Sequence, residues 1–183
     1  GVVKEVDLTV NLIPGGGASA DNGTVTVNIQ PKTITVVGTQ EELSALTEIS
    51  LGSIDLSQVI GTSTITMPIE LSPTLENADG VTEAQVTVTV SGLETRSFDV
   101  TNISVINVPD PYGADLVTTT RTVVVRGSAS VLDQIDASQL RIVADLSDVA
   151  GTGIRSVPAQ VYLDASDEVG VIGTYTISVN ITQ

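Results

Sequence analysis

Apolar and polar residues alternate along much of the chain with a period of two. Clear runs are 6–12 and 86–90, where every second residue is aliphatic. Such alternation indicates strands with one face buried and the other in water. The runs are rich in Val, Ile and Thr, whose branched side chains fit a pleated sheet better than a helix. The pattern therefore predicts a mainly β protein.

The segment TQEELSALTEI at 39–49 departs from this alternation. Its apolar residues recur every three positions: Leu43, Leu46, Ile49. Thr39 and Glu42 have the spacing of a capping box at a helix start. We predict one short helix or helical turn here.

The chain contains an internal sequence repeat. IDLSQVIGTSTITMP at 54–68 returns as ADLSDVAGTGIRSVP at 144–158, and TITVVG at 33–38 returns as TVVVRG at 122–127. A unit of about 90 residues has the size of a domain rather than of a solenoid repeat. We predict two tandem small β domains, 1–93 and 94–183, joined near SGLETR.

The second copy repeats the helical segment as SASVLDQID at 128–136. Leu132 and Ile135 would face inward, and Ser130 and Asp133 have a similar cap spacing. Each domain is therefore expected to hold one short helix.

The repeated Asp-Leu-Ser is open to a chemical or a structural interpretation. A carboxylate beside a hydroxyl could bind a cation or polarise the serine. Asp and Ser also cap the backbone of tight turns, while Leu fills the core. Gly61 and Gly151 would then permit a turn, and Pro68 and Pro158 suit a strand edge. We favour the structural interpretation.

Composition excludes several classes of function. The formal charge is −15, from 22 acidic and seven basic residues, so a nucleic-acid backbone or an anionic membrane surface would repel the chain. There is no His and no Cys, and no phosphate-loop or serine-hydrolase motif occurs. We expect no enzyme activity, no catalytic, cofactor-binding or metal-binding residues and no cofactor.

Four segments could be taken for binding sites, and each has a simpler structural interpretation. GGGAS at 15–19 lacks the strand-before, helix-after context of a phosphate cradle, and we predict a flexible hairpin loop. The acidic loops at 76–80 and 164–170 lack the spacing of a calcium loop, and we predict solvated turns, with a weak calcium site as the alternative. Tyr112, in PDPYGAD, is expected to anchor a turn.

The repeated blocks resemble the YbbR-like domains of a membrane-anchored regulator of diadenylate cyclase in Gram-positive bacteria. The first copy carries the resemblance through its strand, turn and closing-strand positions: Pro31, Ile34, Val36, Gly38, Ile54, Asp55, Leu56, Ser57, Val86, Val88, Val90. The second copy has Thr120 and Ala144 where the pattern has Pro and Ile.

The resemblance implies non-catalytic extracytoplasmic domains that act by protein contacts on a membrane cyclase making cyclic di-AMP. It also implies a transmembrane tether outside residues 1–183, at the extracytoplasmic face of the cell membrane. The alternatives are passive structural or adhesive repeats of a cell-surface protein, and a small ligand- or calcium-binding module. An edge strand could pair with a partner by strand addition.

Overall fold

The computed structural model describes all 183 residues, which form two compact units. The first comprises Gly1–Pro14 and Ser19–Ser91, and the second comprises Gly15–Ala18 and Gly92–Gln183. The change of unit at Ser91 and Gly92 lies within the region where the repeat suggests a boundary. The short segment Gly15–Ala18 belongs to the second unit, which the sequence pattern does not indicate.

The first unit is built from seven strands and one α-helix. The strands are β1 Val2–Ile13, β2 Val25–Gln30, β3 Thr33–Gly38, β4 Glu48–Asp55, β5 Thr62–Pro68, β6 Glu76–Asn77 and β7 Glu83–Val90. The helix α1 is Gln40–Ala45, and a 3₁₀ turn follows β4 at Leu56–Gln58. One sheet has the order β4-β1-β3-β6 and the other the order β2-β7-β5.

The second unit has eight strands and again one α-helix. The strands are β8 Glu94–Val100, β9 Ile103–Ile106, β10 Gly113–Leu116, β11 Arg121–Gly127, β12 Leu140–Asp145, β13 Gly153–Leu163, β14 Val169–Ile172 and β15 Tyr175–Thr182. The helix α2 is Ala129–Leu132, with a 3₁₀ turn at Ala137–Gln139. The sheets have the orders β14-β11-β8 and β10-β15-β13-β12-β9. The prediction of a mainly β protein with one short α-helix in each half is confirmed.

The two units share most of their strand pairings, and the pairing of β12 with β13 occurs only in the second. In the first, β1 pairs antiparallel with β3 along its first half and parallel with β4 along its second half. In the second unit this long strand is divided, so that β8 pairs antiparallel with β11 and β9 pairs parallel with β12. The duplicated sequence therefore encodes a duplicated topology.

Each unit has an aliphatic core supplied by the inward positions of its strands. In the first unit Ile34, Val36, Leu56, Val86 and Val88 are at most 1% exposed. In the second unit the buried cluster includes the following aliphatic residues: Val100, Val123, Val125, Leu140, Ile142, Leu146, Val179, Ile181. The period-two pattern predicted these faces, because successive side chains of a strand point to opposite sides of the sheet.

The helix α1 is shorter than the sequence period suggests. Thr39 is its N-cap and accepts a hydrogen bond from the Glu42 backbone N–H at 3.2 Å. The helix ends at Ala45, and Ile49 is already a buried residue of β4, so placing Ile49 on the helical face was wrong. A period of three over so short a segment fits one helical turn followed by a strand equally well.

The start of α2 also differs from the expectation. Its N-cap is Ser128, and Ser130 lies inside the helix, so the cap spacing assigned to Ser130 and Asp133 was wrong. Leu132 and Ile135 are buried, as predicted. Asp133 instead forms an ion pair with Arg96 at 2.8 Å.

Candidate interaction site

The repeated Asp-Leu-Ser forms a capped turn in both units. The Ser57 backbone N–H donates to the Asp55 carboxylate at 3.0 Å, and the Ser147 N–H donates to Asp145 at 2.9 Å. The leucines between them, Leu56 and Leu146, are fully buried. The structural interpretation of this motif is confirmed.

The Asp145 turn has an additional partner that its counterpart lacks. Asn107, at a positive φ of 56°, donates its side-chain amide to the other carboxylate oxygen of Asp145 at 3.1 Å. The Ser147 backbone N–H, followed by the Ser147 and Asn107 side chains, holds the pKa of Asp145 below its usual value. Hydrogen bonds donated to a carboxylate favour its charged form, so this carboxylate is ionised at neutral pH.

The prolines that close the two repeated blocks lie at strand edges. Pro68 ends β5, the outer strand of its sheet. Pro158 lies in β13, just before the point where this strand changes partner: residues 153–159 pair with β15, whereas residues 160–163 pair with β12. Both positions spare the proline a ladder hydrogen bond that it cannot donate.

The glycine-rich segment that was predicted to be a flexible loop is buried. Gly16, Gly17 and Ala18 are buried, and Gly15 and Ala18 form a small antiparallel bridge. The Arg126 side chain, only 5% exposed, donates Nε–H to the Gly16 carbonyl at 2.8 Å. Burial lowers the pKa of the Arg126 guanidinium. A small hairpin is present, but the expectation that this loop is flexible was wrong, because it is buried and bonded to Arg126.

The acidic loops are organised by bonds within the chain. Asp79 accepts the Thr35 backbone N–H at 2.7 Å, and the Asn77 side chain accepts the N–H groups of Asp79 and Gly80. No group of three or more acidic side chains converges in a way that could hold a metal ion.

Two of the three tyrosines are tied into the second unit by their hydroxyl groups. Tyr112 accepts the Gly151 backbone N–H at 3.0 Å, which confirms that it anchors a turn. Tyr175 accepts the Val124 N–H and donates to the Ile172 carbonyl, at 2.9 and 2.7 Å. Tyr162 is different, because its ring is 45% exposed and lies 4.1 Å from the Arg141 guanidinium carbon.

A groove opens in the second unit where β13 leaves β12. Its volume is about 610 Å³, within the size range of ligand-binding clefts. We call it the splayed-strand groove and define it by six of its lining residues: Ile106, Val143, Asp145, Asp148, Pro158, Tyr162. The sequence reasoning did not identify this groove, and only the unusual aromatic residue at 162 could have pointed to it.

No helix in the structure has the length and apolar character needed to cross a membrane.

Comparison with known proteins bears on the second unit. Residues 98–181 match the family model described as YbbR-like protein. No curated protein matches the chain. The matched half is the copy that has Thr120 and Ala144 where the repeated pattern has Pro and Ile, and Ala144 is fully buried in the core.

Solved structures with similarity to the chain include two YbbR-like examples. A YbbR-like domain from Listeria monocytogenes is 25% identical and covers 48% of this chain and 92% of its own, with a TM-score of 0.38. A YbbR-like protein from Streptococcus pneumoniae is 14% identical and covers 99% of this chain and 94% of its own, with a TM-score of 0.34. The family-model match lies within the second unit, so it is residues 98–181 that are similar to YbbR-like proteins.

Proposed function

We propose that the two units are non-catalytic extracytoplasmic domains of a membrane-anchored protein that regulates a diadenylate cyclase through protein contacts. The observation that carries this proposal is the match of residues 98–181 to the YbbR-like family model. The resemblance of the first copy in its strand and turn positions, and the strand pairings that it shares with the second unit, support assigning it to the same kind of domain.

The polar groups of the repeated turns have a structural role, which favours a non-catalytic function. Asp55 and Asp145 use their carboxylates as turn caps, and the Ser57 hydroxyl donates to Asp55 at 2.7 Å. A nucleophilic serine needs a base that removes its proton and a third group that orients the base. The chain has no histidine to supply that base.

The experiment that tests the proposal measures cyclic di-AMP in cells co-expressing the membrane cyclase and the full-length protein. The comparison is with a version lacking residues 1–183 but keeping its membrane tether. Immunoblots of the membrane fraction establish that the cyclase and both versions are present in equal amounts. A change in cyclic di-AMP on deletion supports regulation, and its direction distinguishes activation from inhibition.

An unchanged cyclic di-AMP level, with both proteins present in the membrane, would contradict the regulatory proposal. That result would favour passive spacer domains of a cell-surface protein, for which a duplicated β unit is equally suitable.

A further inference from the structure

The splayed-strand groove has an open strand edge along one side. Residues 153–159 of β13 form a ladder with β15 only, and their other side faces the gap left by β12. Pro158 has no N–H to donate, but the other residues of this edge carry backbone donors and acceptors, and a strand edge of this kind can receive an extended segment from another chain. The groove therefore offers backbone pairing as well as side-chain contacts.

The floor of the groove is apolar and reachable from solvent. Ile106 and Tyr162 are 46% and 45% exposed, and Val143 is half-buried between them on the outer face of the sheet. The register places Val143 opposite Gln160 and Arg141 opposite Tyr162, so these outer side chains adjoin one another. Covering such a floor with an aliphatic side chain would remove apolar surface from water.

Charges of both signs lie in or beside the groove. Asp145, the last residue of β12, and Asp148 line it, whereas Arg141, near the start of β12, lies outside the lining with its guanidinium over the ring of the lining residue Tyr162. Asp145 is held in its charged form by Ser147 and Asn107, yet a carboxylate has more acceptor positions than these donors fill. A bound segment would accordingly be oriented with its cation at the aspartates.

The first unit shows that the fold does not need this surface. In the aligned repeat, Ser53 occupies the position of Val143 and Gln58 that of Asp148. The strand β5 pairs only with β7, and its outward positions 62, 64 and 66 are threonines. The first unit keeps an isoleucine opposite its aspartate, Ile13 opposite Asp55, as the second unit has Ile106 opposite Asp145. It lacks a counterpart of the β12–β13 pairing and of Val143 and Asp148, so these features are what the second unit adds.

We propose that the splayed-strand groove binds an extended segment of a partner protein in which an aliphatic side chain stands next to a lysine or arginine. The aliphatic side chain covers Val143 and Tyr162, the cation meets Asp148, and the backbone pairs with the open edge of β13. This inference rests on the proposed function, in that it names the chemistry of the partner contact. The negative charge of the whole chain favours the approach of such a basic segment.

The test titrates the isotope-labelled chain, residues 1–183, with short capped peptides and follows backbone amide shifts by NMR. One peptide alternates Ile and Lys, a second has Glu in place of Lys, and a third has Ser in place of Ile. We expect the Ile-Lys peptide alone to bind, with shifts centred on Ile106, Asp148 and Tyr162.

A matched pair of variants makes the test specific. Val143→Ser with Asp148→Gln installs the residues that the first unit has at these positions, and Asp167→Gln removes one acidic charge from an exposed loop outside the groove. The double variant should bind the Ile-Lys peptide about tenfold more weakly, through the loss of an apolar contact and a screened ion pair. Asp167→Gln should bind as the parent chain does. Thermal melts of each variant confirm that the fold is retained.

Several results would overturn the groove proposal. One is that the double variant binds the Ile-Lys peptide as tightly as the parent chain, and another is that the Ile-Glu or Ser-Lys peptide binds as tightly as Ile-Lys. The others are amide shifts spread over the acidic loops, and no amide shifts at millimolar peptide. If deletion of residues 1–183 alters cyclic di-AMP while the peptide fails, the groove proposal is lost and the regulatory one stands. If the peptide binds while deletion has no effect, the regulatory proposal alone is lost.

Discussion

Two glycines of the same backbone conformation provide a test of how the second unit is packed. Gly17 and Gly23 both have φ of +72°, which an alanine adopts at a cost of about 1 kcal/mol. Around Gly23 there is nothing within 4 Å of an added Cβ atom. At Gly17 the same atom would lie 2.8 Å from the Arg126 carbonyl oxygen and 2.9 Å from that of Glu168.

Because φ is the same at both glycines, the difference between the two alanine variants reports mainly the packing around the added Cβ atom. Overpacking against fixed backbone costs about 1–3 kcal/mol, so Gly17→Ala should destabilise the second unit by about 2–4 kcal/mol in all. For a domain of this size that lowers the urea midpoint by about 1–2 M. Gly23→Ala belongs to the first unit and should cost that unit only about 1 kcal/mol.

Tyrosine fluorescence separates the two effects, because all three tyrosines lie in the second unit. Urea unfolding followed by tyrosine emission should shift for Gly17→Ala and stay in place for Gly23→Ala. Far-UV circular dichroism reports both units and should detect the small loss in the Gly23 variant. A tyrosine transition that does not move in Gly17→Ala would refute the buried placement of this segment.

Four further outcomes are expected. The pKa of Asp145 is depressed in the folded state, so the stability that its charged form contributes is fully present above the unfolded pKa of about 3.9 and is lost as the pH falls through the lower folded pKa. Asp145→Asn should therefore lower the urea midpoint at pH 7 and have no effect on it in acid. Lys4→Met removes two hydrogen bonds, of 2.8 Å to the Leu43 carbonyl in α1 and of 2.7 Å to the carbonyl of its C-cap Leu46, and should cost the first unit about 1–2 kcal/mol. Lys32 is exposed, and Lys32→Met should be neutral in urea unfolding. Leu146→Ala should lower the unfolding free energy of the second unit by about 2–5 kcal/mol, because Leu146 is fully buried. The measurement is the fall in the urea midpoint followed by tyrosine fluorescence. The melting temperature of the chain should be the same in millimolar calcium and in chelator, and a rise in calcium would revive the calcium alternative for the acidic loops.

The sequence by itself predicted the strands and the capped turns, because both depend on residues that are close together in the chain. The alternation at 86–90 identifies the buried side of β7 because a strand turns successive residues to opposite faces. Asp55 and Asp145 could be assigned as caps because the bond from a carboxylate to the N–H two residues on is made within the turn itself. The duplicated topology follows from the duplicated sequence, since equal patterns bury equal faces.

Contacts between residues distant in sequence were decided by the tertiary structure alone. GGGAS has the composition of a flexible loop, and its burial depends on Arg126, which lies 110 positions away. The splayed-strand groove arises because β13 pairs with β15 along its first part and with β12 along its last part. The alternation of apolar and polar residues within β13 does not predict this change of partner. The alternation of a strand determines which face is buried, while its neighbours determine whether the other face is plain surface or one wall of a groove.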